Sequence, residues 1–128
     1  MTKSITISLS YYNQSKDTIL KHITYWNSYP TNVRQRISFQ IIDDCSKIPI
    51  NELITADDIC GLDLVLYRVN EDINCNMAGV RNLGATQCET IWFIPLDMDT
   101  LLPLKTARRL LALADKHTKN ESTKNIYK

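Results

Sequence analysis

The chain has 128 residues, 44% of them hydrophobic and 23% charged, which suits one globular domain able to bury a core and leaves no length for a second. A formal net charge of +1 excludes a general electrostatic attraction to nucleic acid or to an anionic membrane, so function has to come from a local site. Polar residues interrupt Met1 to Ser10 where a signal peptide needs an apolar stretch, and no window reads as a transmembrane segment, so an intracellular, cytoplasmic protein is expected.

Ile5 to Ser10 is rich in β-formers and runs into the polar Tyr11-Tyr12-Asn13-Gln14-Ser15, which predicts a strand and a loop. A helix follows, with Ser15 as its cap, Asp17 in its first turn and Ile19, Leu20, Ile23 and Trp26 at helical spacing, before Pro30 stops it. Ile37 to Ile42 predicts a second strand leading into Asp43, Asp44, Cys45 and Ser46. Asn51 to Cys60 shows too weak a pattern to place, whereas Leu62 to Val69 fits a third strand or a buried helical turn. Asn76 to Cys88 offers Met77, Val80, Leu83 and Cys88 to one helical face, and Thr90 to Leu96 predicts a fourth strand ending at Asp97. Pro103 can open a last helix that turns Leu104, Ala107, Leu110, Leu111 and Ala114 inward and Lys105, Arg108 and Arg109 outward. The globular domain is expected over residues 1–117, with 118–128 a polar, flexible tail.

Alternating strands and helices predict an α/β fold: an open, mainly parallel sheet with helices on both faces. Such sheets bind ligands beyond the carboxyl ends of their strands. Ser10 to Asn13, Asp43 to Ser46 and Asp97 to Asp99 all fall there and can share one crevice.

Asp97 and Asp99, separated by Met98, offer oxygen ligands of the kind that Mg2+ or Mn2+ takes, with phosphate oxygens and water completing the shell. Helix capping by Asp99, or plain solvent exposure, is the structural alternative. Asp43 and Asp44 read either as turn residues or as acceptors for a nucleobase or ribose. Gly79 to Thr86 has the glycine spacing of a phosphate loop without its Lys-Ser or Lys-Thr, and no Gly-x-Gly-x-x-Gly follows the first strand. Arg81 can pair with phosphate or form a surface ion pair. Cys45, Cys60, Cys75 and Cys88 form no Cys-x-x-Cys pair and read as small buried or half-buried side chains rather than zinc ligands. The Asn-x-Ser matches at Asn13 and Asn120 are read as incidental.

In order along the chain, Ile7-Ser8-Leu9-Ser10-Tyr11-Tyr12-Asn13, Ile41-Ile42-Asp43-Asp44-Cys45-Ser46, Ala78-Gly79-Val80-Arg81-Asn82-Leu83-Gly84 and Leu96-Asp97-Met98-Asp99 resemble the motifs of the inverting GT-A glycosyltransferases of family two. The resemblance covers about Ser4 to Asp115. It implies the nucleotide-binding half of a GT-A, Rossmann-like domain. Ser10 and Tyr12 would lie against the donor nucleotide, Asp44 would accept a hydrogen bond from its base, and Arg81 would lie near the base or diphosphate. Asp99 would be the direct metal ligand and Asp97 would face the ribose or donor sugar and support the metal. The metal, Mn2+ or Mg2+, would offset charge on the departing nucleoside diphosphate while an acceptor hydroxyl attacks the anomeric carbon from the opposite face. A UDP-sugar is the default donor, and the acceptor is unknown.

The chain departs from that family at Cys45, where glycine or asparagine is usual, and at Gly79-Val80 before the arginine. It also lacks the acceptor half and the base motif that follow the Asp-x-Asp strand, so no catalytic base is assigned. A noncatalytic donor-binding module, or an enzyme remnant, is therefore the alternative, and self-association or a partner chain could cover the missing half. A receiver-like signalling domain, phosphorylated on Asp97, is a third reading. It fits poorly, because its acidic pair should end the first strand.

Overall fold

The computed structural model describes residues 3–69 and 77–124, with the backbone alone described at 77, 78, 81 and 118–124. Among the described residues four strands form one sheet: β1 (Ile5–Tyr11), β2 (Ile37–Asp43), β3 (Leu64–Arg68) and β4 (Trp92–Leu96). Their order is β3-β2-β1-β4 and every pairing is parallel. The expected α/β architecture is therefore present, with β1 near the centre and its carboxyl end beside those of β2 and β4. β1 and β2 each run one residue past their predicted ends, so Asp43 belongs to the strand rather than to the turn after it.

Side chains alternate across each strand, and the parallel register keeps odd positions of β1 and β2 on one face. Ile5, Ile7, Leu9, Ile37, Phe39 and Ile41 there form the centre of the core. Two helices pack against this centre. α1 (Lys16–Asn27), capped by the Ser15 side chain as expected, contributes Ile19, Ile23 and Trp26, and Trp26 stacks on Phe39 with ring centroids 4.8 Å apart. α6 (Leu104–Lys124) contributes Ala107, Leu111 and Ala114, while Lys105, Arg108 and Arg109 are exposed. The backbone of 118–124 continues that helix.

The opposite face carries Thr6, Ser8 and Gln40, all buried although polar. α5 (Met77–Gln87) covers it. Asn76 and Cys75 lie outside the described residues. The Gln40 amide donates to Ser8 Oγ and to the Gly84 carbonyl, each at 3.0 Å, so the buried polar groups satisfy one another. Gly84 makes that closeness possible: a Cβ built on it would lie 2.7 Å from Ser8 Oγ, 2.9 Å from Gln40 Nε2 and 3.1 Å from Phe93 Cζ.

The stretch Asn51 to Cys60, unplaced from sequence, holds parts of two single-turn helices. α3 (Ile50–Leu53) begins after Pro49, and α4 (Ala56–Ile59) begins with a capping box between Thr55 and Asp58. One further turn, α2 (Thr31–Arg34), follows Pro30. No described helix is long and apolar enough to cross a membrane. Cys45 and Cys88 are half-buried as expected, but Cys60 is exposed, because it ends α4 in a left-handed conformation at the surface.

Candidate functional site

At the carboxyl end of β2 the two adjacent aspartates part company. Asp43 keeps the parity of Ile37, Phe39 and Ile41, points into the protein and is fully buried. Its carboxylate accepts hydrogen bonds from the backbone N–H of Ser46 at 2.9 Å and of Ile50 at 3.0 Å, and from Arg68 Nη1 at 2.6 Å. Asp43 is thus the structural member of the pair, closing the loop behind the strand. Asp44 takes the other parity and lines the cleft.

The β2 loop is also tied to the loop after β1. The Asp44 N–H donates to the Tyr11 carbonyl at 2.8 Å, the Asn13 N–H to Ser46 Oγ at 2.9 Å, and the Lys47 N–H to Asn13 Oδ1 at 2.9 Å. Asn13 and Cys45 both adopt left-handed backbone conformations, with φ of 49° and 56°. Such a turn is least strained with glycine or asparagine, the residues that the resemblance leads one to expect where Cys45 stands. Arg68 braces the turn, donating to the Ser46 carbonyl at 2.8 Å and reaching Cys45 Sγ at 3.7 Å. Tyr11 donates its hydroxyl to the Gln14 carbonyl, and burial, then the Asp43 charge, raises its pKa above the ordinary value.

At the end of β4, Leu96 is buried while Asp97 and Asp99 face solvent on either side of a half-buried Met98. The Thr100 N–H closes this turn on the Asp97 carbonyl at 3.0 Å. From behind, buried His22 of α1 approaches the Met98 carbonyl with Nε2 at 2.7 Å. A carbonyl only accepts, so Nε2 carries the proton. Burial lowers the His22 pKa below its ordinary value, only partly offset by that bond.

These strand ends enclose a cleft of about 530 Å3 lined by Ser10, Tyr11, Tyr12, Gln14, Thr18, Asp44, Val80, Asp97, Met98 and Asp99. Of the predicted site residues, Ser10, Tyr12, Asp44, Asp97 and Asp99 therefore meet in one place. Arg81 follows Val80 on α5, and its side chain lies outside the described residues. Sequence reading missed Gln14 and Thr18 as lining groups, and His22 behind the turn. His22 was detectable in principle, since it falls in the Ile19, Ile23, Trp26 stripe at helical spacing.

Three carboxylates on one cleft create a local negative field in a nearly neutral chain, a cost that a cation or hydrogen-bond donors can offset. Among the described residues no cluster of three or more His, Cys, Asp or Glu side chains could hold a metal by itself. Asp97 and Asp99 instead form an exposed, all-oxygen pair. That suits Mg2+ or Mn2+, which commonly take one or two carboxylates and complete their shell with phosphate and water.

No family model matches the chain, and no curated protein matches it in sequence. Solved structures do match its fold. The chain is similar to S. aureus TarS 1-349, at TM-score 0.68 and 17% identity over 90% of this chain and 33% of that one. The same protein in complex with UDP-GlcNAc matches at TM-score 0.65 and 17% identity, over 90% and 32% of the two chains, and in complex with UDP at TM-score 0.61 and 18% identity, over 90% and 33%. At these identities the likeness establishes a shared glycosyltransferase-like α/β fold, and this chain spans about a third of the length of those TarS chains.

Proposed function

We propose that the chain binds a nucleotide-diphospho-sugar, with a UDP-sugar as the first candidate, and presents the sugar for inverting transfer to an acceptor hydroxyl. The observation that carries this reading is the convergence of Ser10, Tyr12, Asp44, Asp97 and Asp99 from three strand ends on one cleft. The fold likeness to a protein solved with UDP-GlcNAc adds support.

In this reading Asp44 accepts a hydrogen bond from a base N–H, the Tyr12 ring and the Ser10 hydroxyl bear on the nucleotide, and Arg81 serves the base or diphosphate. Asp99 is the direct ligand of Mn2+ or Mg2+, and Asp97 supports it while facing the ribose or sugar. The bound cation would offset negative charge on the diphosphate leaving group. A second reading, donor binding without transfer, is favoured by the composition of the cleft. Its described lining carboxylates are Asp44, Asp97 and Asp99, all occupied with donor and cation, and none remains to deprotonate an acceptor.

Thermal unfolding against a panel of nucleoside diphosphates and their sugars, with and without Mn2+, tests the donor site. A ligand at about one hundred times its Kd stabilises the native state by about 2.7 kcal/mol, a shift of several degrees. A Mn2+-dependent shift with one nucleotide, absent in Asp99→Ala, is the expected result; no shift with any of them would sink the proposal. Donor hydrolysis that is lost in Asp99→Asn would then favour transfer, and binding without turnover the second reading.

A further inference from the structure

The turn bearing Asp97 and Asp99 is pinned from the core. His22 is 1% exposed, and the apolar stripe of α1 would be completed as well by a phenylalanine or leucine. Its Nδ1 is buried with no hydrogen-bond partner among the described residues. Burying a polar ring that satisfies only one of its two nitrogens disfavours folding relative to an apolar side chain of similar size. The single bond gained in return is the one from Nε2 to the Met98 carbonyl, between the two carboxylates.

The tether has further points. The Met98 side chain packs against the core cluster, and Tyr29, just beyond α1, donates its buried hydroxyl to the Leu102 carbonyl. The backbone is thus held at residues 98 and 102 by side chains from one stretch of chain, while Asp97 and Asp99 project to solvent. Carboxylates on a fixed turn bind a cation without first losing the conformational freedom of a loose one.

We propose that His22 is a positioning residue, whose bond to Met98 fixes the spacing of Asp97 and Asp99 for a divalent cation bound together with a nucleoside diphosphate. The inference rests on the donor-site reading above and adds a residue that touches neither ligand.

The test compares the full chain with His22→Phe, His22→Leu and His22→Gln. Free Mn2+ is read by electron paramagnetic resonance at saturating UDP, and exchange of the Thr100 amide is followed without ligand. Both apolar variants should fold, exchange Thr100 faster and bind Mn2+ roughly tenfold more weakly, as expected for losing one orienting hydrogen bond. His22→Gln, long enough to bring an amide N–H to the same carbonyl, should return affinity to within about threefold of wild type. An apolar variant that binds Mn2+ as tightly as wild type, with unchanged Thr100 exchange, overturns the positioning role and leaves the donor site standing. If one apolar variant does not fold, the other and the glutamine variant carry the comparison. A wild-type chain that binds no Mn2+ with UDP overturns the donor-site reading, and this inference with it.

Discussion

Alternation along β2 sends Asp43 after Ile37, Phe39 and Ile41 into the core and turns Asp44 toward the cleft. The sequence shows the pair but leaves its division of labour open, although the parity of the apolar residues before it contains the answer. Substitution separates the two roles. Asp43→Asn removes the charge that Arg68 and two backbone N–H groups address, and should lower stability in urea by about 3 kcal/mol. Asp44→Asn should lower stability less and abolish the thermal shift given by nucleotide. Equal losses of stability would refute this division.

His22 carries a pH signature of its own. Its folded pKa lies below the ordinary 6.5, with burial as the main cause, so between those two values the unfolded chain binds more protons than the folded one. The contribution of His22 to stability is complete above the ordinary value and is lost as pH falls through it toward the folded pKa. Urea midpoints measured across that window should fall more steeply on acidification for wild type than for His22→Phe. Parallel slopes would mean that His22 titrates normally.

Among the elements, α1 and α6 were legible because their apolar residues repeat at the helical period over several turns. β1, β2 and β4 were legible as β-rich runs between turn signals, and the acids and Ser-Tyr-Tyr-Asn at their ends marked the crevice. α3 and α4 escaped because a single turn offers no period to detect, only a proline before one and a capping box at the other. The fit of α5 on the sheet was missed for another reason. A search for apolar faces passes over glycine, yet Gly84 is the residue that lets α5 approach Ser8 and Gln40. Gly84→Ala should therefore destabilise the chain by about 1–3 kcal/mol despite its better helix propensity. The effect should shrink in a Ser8→Ala background, where the nearest clashing atom is gone. A neutral or stabilising Gly84→Ala, read from urea unfolding, would show that the interface relaxes freely.

Across the whole molecule, the cleft exists only where distant segments meet. Thr6 bonds Thr90 side chain to side chain at 2.7 Å, 84 positions away, and β1 binds β2 on one side and β4 on the other. Pairings of such separation form late, because loop closure has to precede the contacts that stabilise it. UDP with Mn2+ is accordingly expected to slow unfolding in stopped-flow experiments while leaving the refolding rate unchanged. Refolding accelerated by ligand would place the assembled cleft in the transition state instead.

The central place of β1 also bears on synthesis at the ribosome. This strand emerges well before its partner β4 (Trp92–Leu96). A nascent chain that has not yet exposed β4 already carries Tyr12 and Asp44 but has no Asp97 or Asp99 beside them. It also leaves one edge of β1 unpaired, with Ile5, Ile7 and Leu9 lacking the α6 residues that join them in the finished core. Until α6 is released, that open edge is a surface for a chaperone to cover.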